Sequence, residues 1–198
     1  MRPALAVVGV FILIIGIAVF SGVGTYNSLV DVDESVSQSW ADVETQYQRR
    51  ADLIPNLVRT VSGAADFEQE TLTAVTEARA RATSINLSAD DLNDPDKMQS
   101  FMAAQENLSG ALGRLLVVSE NYPQLRATEG FRDLQVQLEG TENRITVARR
   151  DYNDVVAGYN RRVRQFPGSM IASLTGFERK TPFEASQGAE NAPEVDFN

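Results

Sequence analysis

Residues 26–61 read YNSLVDVDESVSQSWADVETQYQRRADLIPNLVRTV. Within them Tyr26, Leu29, Val36, Trp40, Val43, Tyr47, Ile54, Leu57 and Val61 follow one another in steps of three and four, with Asp33 and Arg50 as polar interruptions of the same stripe. Apolar residues so spaced fall on one face of a helix repeating every ~3.5 residues. Pro55 lies inside the pattern. It lacks an N–H and clashes with the preceding turn, which predicts a kink near Arg50 to Ile54 or a break. Ser62-Gly63 marks the stop.

Toward the N-terminus, Ala4 to Val23 reads ALAVVGVFILIIGIAVFSGV, and no charge occurs from Pro3 through Val30. About 20 apolar residues cover the ~30 Å hydrocarbon core of a bilayer. Residues 1–25 are therefore expected to be a transmembrane anchor, with Leu5, Val8, Phe11, Ile14, Ile17 and Phe20 among the spanning side chains. The alternative is a cleaved signal peptide, but signal h-regions run only ~7–15 residues. Arg2 precedes the span and Asp31, Asp33 and Glu34 follow it. Counting basic residues favours the N-terminus in the cytoplasm and the domain on the other side.

Toward the C-terminus, Asp66 reads as the N-cap of a second helix with the face Phe67, Leu72, Val75, Ala78, Ala82 and Ile85. Asn86 to Asp94 is a linker, and Asp94-Pro95 opens a third helix facing inward through Met98, Phe101, Gln105, Leu108, Leu112 and Leu115. Tyr122-Pro123 closes it. Thr128 or Glu129 opens a fourth, with the face Phe131, Leu134, Leu138, Thr141, Ile145, Ala148, Tyr152, Val155, Tyr159, Arg162 and Phe166, and Phe166-Pro167-Gly168 stops it. No alternating β-branched run bounded by turns is present. The reading is an all-α fold: a single N-terminal transmembrane helix, then an antiparallel four-helix bundle over 26–166 with two long and two shorter helices packed like a left-handed coiled coil. Residues 167–180 form a segment docked on the bundle or lying at the membrane interface. Residues 181–198 hold four acids and no base and read as a mobile acidic tail.

Composition narrows the function. In 198 residues there are 18 Lys+Arg against 27 Asp+Glu, a net charge of −9, which argues against nucleic acid as the main partner. The chain has no cysteine and no histidine. Thiol nucleophiles, zinc clusters and every Ser-His-Asp or Glu-x-x-His scheme are thereby excluded. No catalytic, metal or cofactor site is assigned.

Several segments resemble the LemA family of bacterial membrane proteins: Tyr26-Asn27-Ser28-Leu29-Val30, Trp40, Arg49 to Val58, Glu120-Asn121-Tyr122-Pro123-Gln124-Leu125, Phe131 with Leu134, Gln135, Leu138, Glu139 and Glu142, Arg149 to Asn153, Tyr159-Asn160 and Phe166-Pro167. The likeness runs from about Tyr26 to Phe183. It implies one N-terminal span and a helical bundle on the cytoplasmic or periplasmic side, with no established enzymatic activity.

Four sets of residues are site candidates. Arg50 occupies a core position, and an unpaired charge there costs several kcal/mol. Counting the helical rise along antiparallel helices places Arg50 level with Asn143, so Glu139 and Glu142 are its expected partners. Glu120 and Glu129 read as helix-end carboxylates. Leu29, Val36, Trp40, Val43, Tyr152, Val155 and Tyr159 lie on a membrane-proximal stalk too thin to cover them, which predicts an oligomer face. Tyr152-Asn153 and Tyr159-Asn160, seven residues apart, read as core packing with hydroxyls at the rim. Arg161, Arg162, Arg164, Met170, Ile171, Leu174, Phe177, Arg179 and Lys180 are candidate lipid contacts, with the four apolar ones on one side of a short helix. The leading functional expectation is a non-enzymatic scaffold, adaptor or oligomeric module in the bacterial cytoplasmic membrane. Its partners would be the lipid bilayer and a second copy or another membrane protein. The competing expectation is a membrane-remodelling or anionic-lipid-binding protein.

Overall fold

The computed structural model describes residues 2–63 and 68–184, the side chains of 2–6 and 18 excepted. Helix α1 (Arg2–Ser62) carries both the apolar run and the first packing stripe in 61 uninterrupted residues, about 90 Å at the α-helical rise. The break expected at Pro55 does not occur. The acceptor that Pro55 leaves without a donor is the Ala51 carbonyl one turn back, and Arg79 Nε donates to it at 2.8 Å. A side chain from the next helix thus satisfies the group that proline orphans.

The remaining elements are α2 (Gln69–Ser84), a 3-10 turn (Ala89–Asn93), α3 (Pro95–Ser119), the single turn α4 (Pro123–Arg126), α5 (Glu129–Arg164) and α6 (Gly168–Thr175). The expected cap Asp66 and its neighbour Phe67 lie outside the described residues. The N-cap position of α2 is Glu68. At α3, Asp94 Oδ1 accepts from Asp96 N at 3.0 Å and Lys97 N at 3.2 Å, with Pro95 at the first helical position. Thr128 stands at the N-cap position of α5. Glu120 is the C-cap residue of α3, and Glu129 sits in the first turn of α5.

Cross-helix contacts fix the directions. Ala51 meets Arg79 and Trp40 Nε1 donates to Leu87 O at 3.1 Å, so α2 runs antiparallel to α1. Tyr47 meets Phe101 and Arg50 meets Gln105, so α3 runs alongside α1 in the same sense. Ser28 meets Arg162 and Arg50 meets Glu142, so α5 returns antiparallel. Two apolar clusters fill the interior. The distal one includes Leu57, Val61, Val75, Leu115 and Phe131, and the membrane-proximal one includes Val36, Trp40, Leu92, Met98 and Tyr152.

The expected oligomer face is not available. Leu29, Val36, Trp40, Val43, Tyr152 and Tyr159 are buried within the chain. Val155 is only half-buried, because α5 steps four then three here and turns Val156 inward. Two segments outside the long helices cover the stripe. Leu87 and Leu92 come from the connection between α2 and α3, and Phe177 and Phe183 from the chain after α6. Thr181 to Glu184, read from sequence as the start of a mobile tail, are packed against the bundle instead. Phe183 is 5% exposed and stacks on Trp40 with ring centroids 5.9 Å apart. Phe166, expected on the buried face of the fourth helix, is exposed, since α5 ends at Arg164. At Gly168 a Cβ would collide with the Arg162 carbonyl, so only glycine fits the close return of the chain.

Candidate functional site

The Arg50 side chain is 1% exposed and ties all four long passes together. Its Nη1 donates to Glu142 Oε1 at 2.8 Å and to Ser109 Oγ at 2.7 Å, while Nη2 donates to Gln105 Oε1 at 2.6 Å. Gln105 Nε2 in turn donates to Ala82 O at 3.2 Å. The chain of contacts therefore passes from α1 to α5, and through α3 to α2. The guanidinium also lies over the Tyr47 ring, 5.1 Å from its centroid. Burial raises the Tyr47 hydroxyl above its usual range, partly offset by Arg149 and Arg50. Glu139 stands apart and accepts from Gln135 Nε2 at 3.0 Å. A cavity of about 390 Å³ opens beside this network, lined by Tyr47, Arg50, Gln105, Glu142 and Arg149 among others. Both Nη atoms of Arg50 are committed to internal bonds, which fits a structural knot, while its buried Nε has no hydrogen-bond partner.

A second site is the strap, residues 177–184, laid along α5. Asn160 Nδ2 donates to Lys180 O at 2.8 Å, and Lys180 N donates to Asn160 Oδ1 at 2.9 Å. Asn153 repeats the pattern on Phe183, at 2.9 and 2.8 Å. Seven helical residues rise about 10.5 Å, and three extended residues span about 10 Å. The heptad-spaced asparagines thus meet every third backbone unit of the strap. Beside them Tyr152 Oη donates to Thr181 O at 3.1 Å and Tyr159 Oη to Glu178 O at 2.9 Å. Burial pushes both phenols well above the usual range, and for Tyr159 the nearby Asp33 adds to it. Lys180, a sequence candidate for lipid, is turned inward instead. Its Nζ lies 3.4 Å from Asp33 Oδ1 and donates to Ala89 O at 3.2 Å. The second polar interruption of the α1 stripe is thereby matched by the strap.

A third site lies where α6 meets α1. Ile171 Cδ1 lies against Gly22, 3.8 Å from where a Cβ would stand, and the rings of Tyr26 and Phe177 are 5.9 Å apart. Ala172 faces the bundle and is buried. Met170, Ile171, Leu174 and Phe177 do not share one side: Ile171 and Phe177 are half-buried, while Met170 and Leu174 point outward. Arg161, Arg162, Arg164 and Arg179 are exposed, and Arg162 Nη1 donates to Ser28 Oγ. Of the spanning candidates, Val8, Phe11, Ile14, Ile17 and Phe20 are all more than half exposed. Leu5 lies in α1, with its side chain outside the described set.

Sequence reasoning missed Arg79, Asn153, Asn160 and Lys180 as positioning groups. The tandem Tyr-Asn repeat was the available signal for two of them.

Among the described residues the fold is all-helical, with one helix that is long and apolar enough to cross a bilayer and is continuous with a packed helical head, the features of a membrane-associated helical protein. The chain belongs to the LemA family, whose family model matches residues 39–197. It is 26% identical over 175 residues to magnetosome protein MamQ 2 of Paramagnetospirillum magneticum, covering 80% of this chain and 64% of that protein. It is 25% identical over 170 residues to magnetosome protein MamQ of Magnetospirillum gryphiswaldense, covering 78% and 62%. To protein LemA of Metamycoplasma hominis it is 25% identical over 177 residues, covering 89% and 77%. The chain thus spans under two thirds of the length of the MamQ relatives.

Proposed function

We propose that the chain is a non-enzymatic scaffold of the bacterial cytoplasmic membrane, holding a helical head at a fixed height and orientation above the bilayer for a protein partner. The observation that carries this reading is the continuity of α1, in which apolar run and bundle stripe share one helix of 61 residues. A continuous helix transmits orientation from membrane to head, as a flexible linker would not. The relatives named for the magnetosome agree with a role at a membrane. With the stalk stripe covered by the chain itself, a partner docks on the polar outer faces of the head.

Photo-crosslinking from exposed head positions such as Val136 and Val147 in native membranes tests this. Discrete, stoichiometric adducts that vanish when a flexible Gly-Ser insert is placed after Tyr26 are expected. Adducts indifferent to the insert, or a purification-stable turnover abolished by Glu142→Gln, would overturn it.

A further inference from the structure

We infer that α6, with Phe166 at its approach, is a second membrane contact: a foot that lies in the headgroup boundary of an anionic lipid monolayer. Three observations converge on it.

The first is height. The apolar run ends at Val23, and Ile171 rests against Gly22, inside the last turn of that run. Whatever plane the bilayer surface takes on α1, it takes on α6 as well. The second is the outward face. Met170 is 56% and Leu174 79% exposed on a helix whose other side is fixed to the bundle through Ala172, and Phe166, just before that helix, is 79% exposed. Three large apolar side chains held outward beside an apolar span continue the lipid-facing surface of Phe20 and Val23. The third is charge. Arg161, Arg162 and Arg164 close α5 immediately above, and Arg162 reaches Ser28. Ser28 lies five residues beyond Val23, where the apolar run ends, about 7.5 Å along the helix. A headgroup layer is about 5–8 Å thick per leaflet, so the Arg162 guanidinium stands at the outer part of that layer, with Arg161 and Arg164 beside it in sequence, in a chain whose net charge is −9. An open groove of about 500 Å³ between Ser21, Thr25 and Ser28 on one side and Arg162 and Gln165 on the other gives a headgroup room beside them.

The chain has no cysteine, so Leu174→Cys accepts a single environment-sensitive dye. The full chain is reconstituted in phosphatidylcholine vesicles with and without phosphatidylglycerol, and quenched by nitroxide lipids or by aqueous iodide. The inference rests on the anchor, and an Ile14→Cys label tests that separately: quenching by nitroxide at the acyl chain end shows the span inserted. Given that, the dye at 174 is expected to be quenched by shallow nitroxide, weakly by chain-end nitroxide, and little by iodide. A dye at Val136→Cys, on the exposed distal part of α5, serves as the aqueous reference. Nitroxide-labelled phosphatidylglycerol should quench several-fold more than labelled phosphatidylcholine at equal content, since each arginine near an anionic surface contributes a factor of about five. In Arg161→Gln/Arg164→Gln this excess should fall toward parity. Iodide quenching at 174 as strong as at 136 would overturn the foot. Protection from both lipid and iodide would overturn it too, because protein would then cover the face. Equal quenching by the two lipids would overturn the anionic preference.

Discussion

Arg79→Met removes the donor to the carbonyl orphaned by Pro55 while leaving a side chain of similar length to pack. Ala51 is 3% exposed, so water does not replace the lost bond. A buried acceptor left without a partner costs about 1–3 kcal/mol. For a chain of this size that corresponds to about 2–4 °C in melting temperature per kcal/mol. The informative comparison is with Pro55→Ala, which restores an N–H one turn after Ala51 and removes the ring clash. In that background the backbone supplies the missing donor, and Arg79→Met should cost no more than about 0.5 kcal/mol, the scale within which independent mutations add. Chemical denaturation of the four variants in detergent, followed by helical circular dichroism, measures the cycle. Independent costs for the two substitutions would refute the claim that Arg79 repairs Pro55. So would a stable Arg79→Met in the native background.

Phe183→Ala should red-shift the emission of Trp40, the chain's one tryptophan, and cost about 3–5 kcal/mol if the strap packs as a core element. An unchanged spectrum would mean the strap contributes no shielding. The raised Tyr152 and Tyr159 hydroxyls give a stability contribution present in full below the ordinary phenol range near pH ~10 and lost as pH rises through the folded-state values. Tyrosinate absorbance for these two should therefore appear only as the strap releases, measured against Trp40 emission in the same titration. Glu142→Ala should cost about 1–2 kcal/mol rather than the 3–5 of a fully buried pair, because the Glu142 side chain is 44% exposed and water reaches the vacated position. A melting study giving a larger loss would show that Gln105 and Ser109 do not hold the guanidinium by themselves.

The helices were legible where their signals are local. Asp94-Pro95 caps α3 within three residues, and the α3 stripe from Met98 to Leu115 is buried as spaced. What was not legible lies between groups that no short window contains. Pro55 announces an orphaned carbonyl at Ala51, but the donor to that carbonyl sits 28 residues after it on another helix. Asp33 announces a partly buried charge, yet its partner Lys180 follows a proline, a turn and a short helix with no common period. The strap carries neither helical nor alternating pattern, because its order comes from backbone bonds to Asn153 and Asn160 rather than from its own side chains. Val155 against Val156 shows a different limit: a strict alternation of three and four drifts from the 3.6 residues of a straight helix, so the inward position slips by one.

The two polar interruptions of the α1 stripe have opposite consequences for how the molecule is held together. Arg50 is answered by side chains from α3 and α5 in the middle of the bundle, through a bond to Glu142 that separates two well-packed apolar clusters. Asp33 is answered by a segment near the end of the described chain, and that segment also supplies the ring stacked on Trp40. The same segment begins at α6, beside the end of the apolar run. Closure of the membrane-proximal core and the seating of α6 beside the end of the apolar run are therefore tasks of one continuous stretch, residues 168–184. In the proposed arrangement with α6 in lipid, a force that lifts it pulls first on Phe177 and Glu178, then on the Asn160 and Asn153 clamps. Trp40 exposure is thus the natural readout of strap release, and on the proposed foot also of events at the membrane.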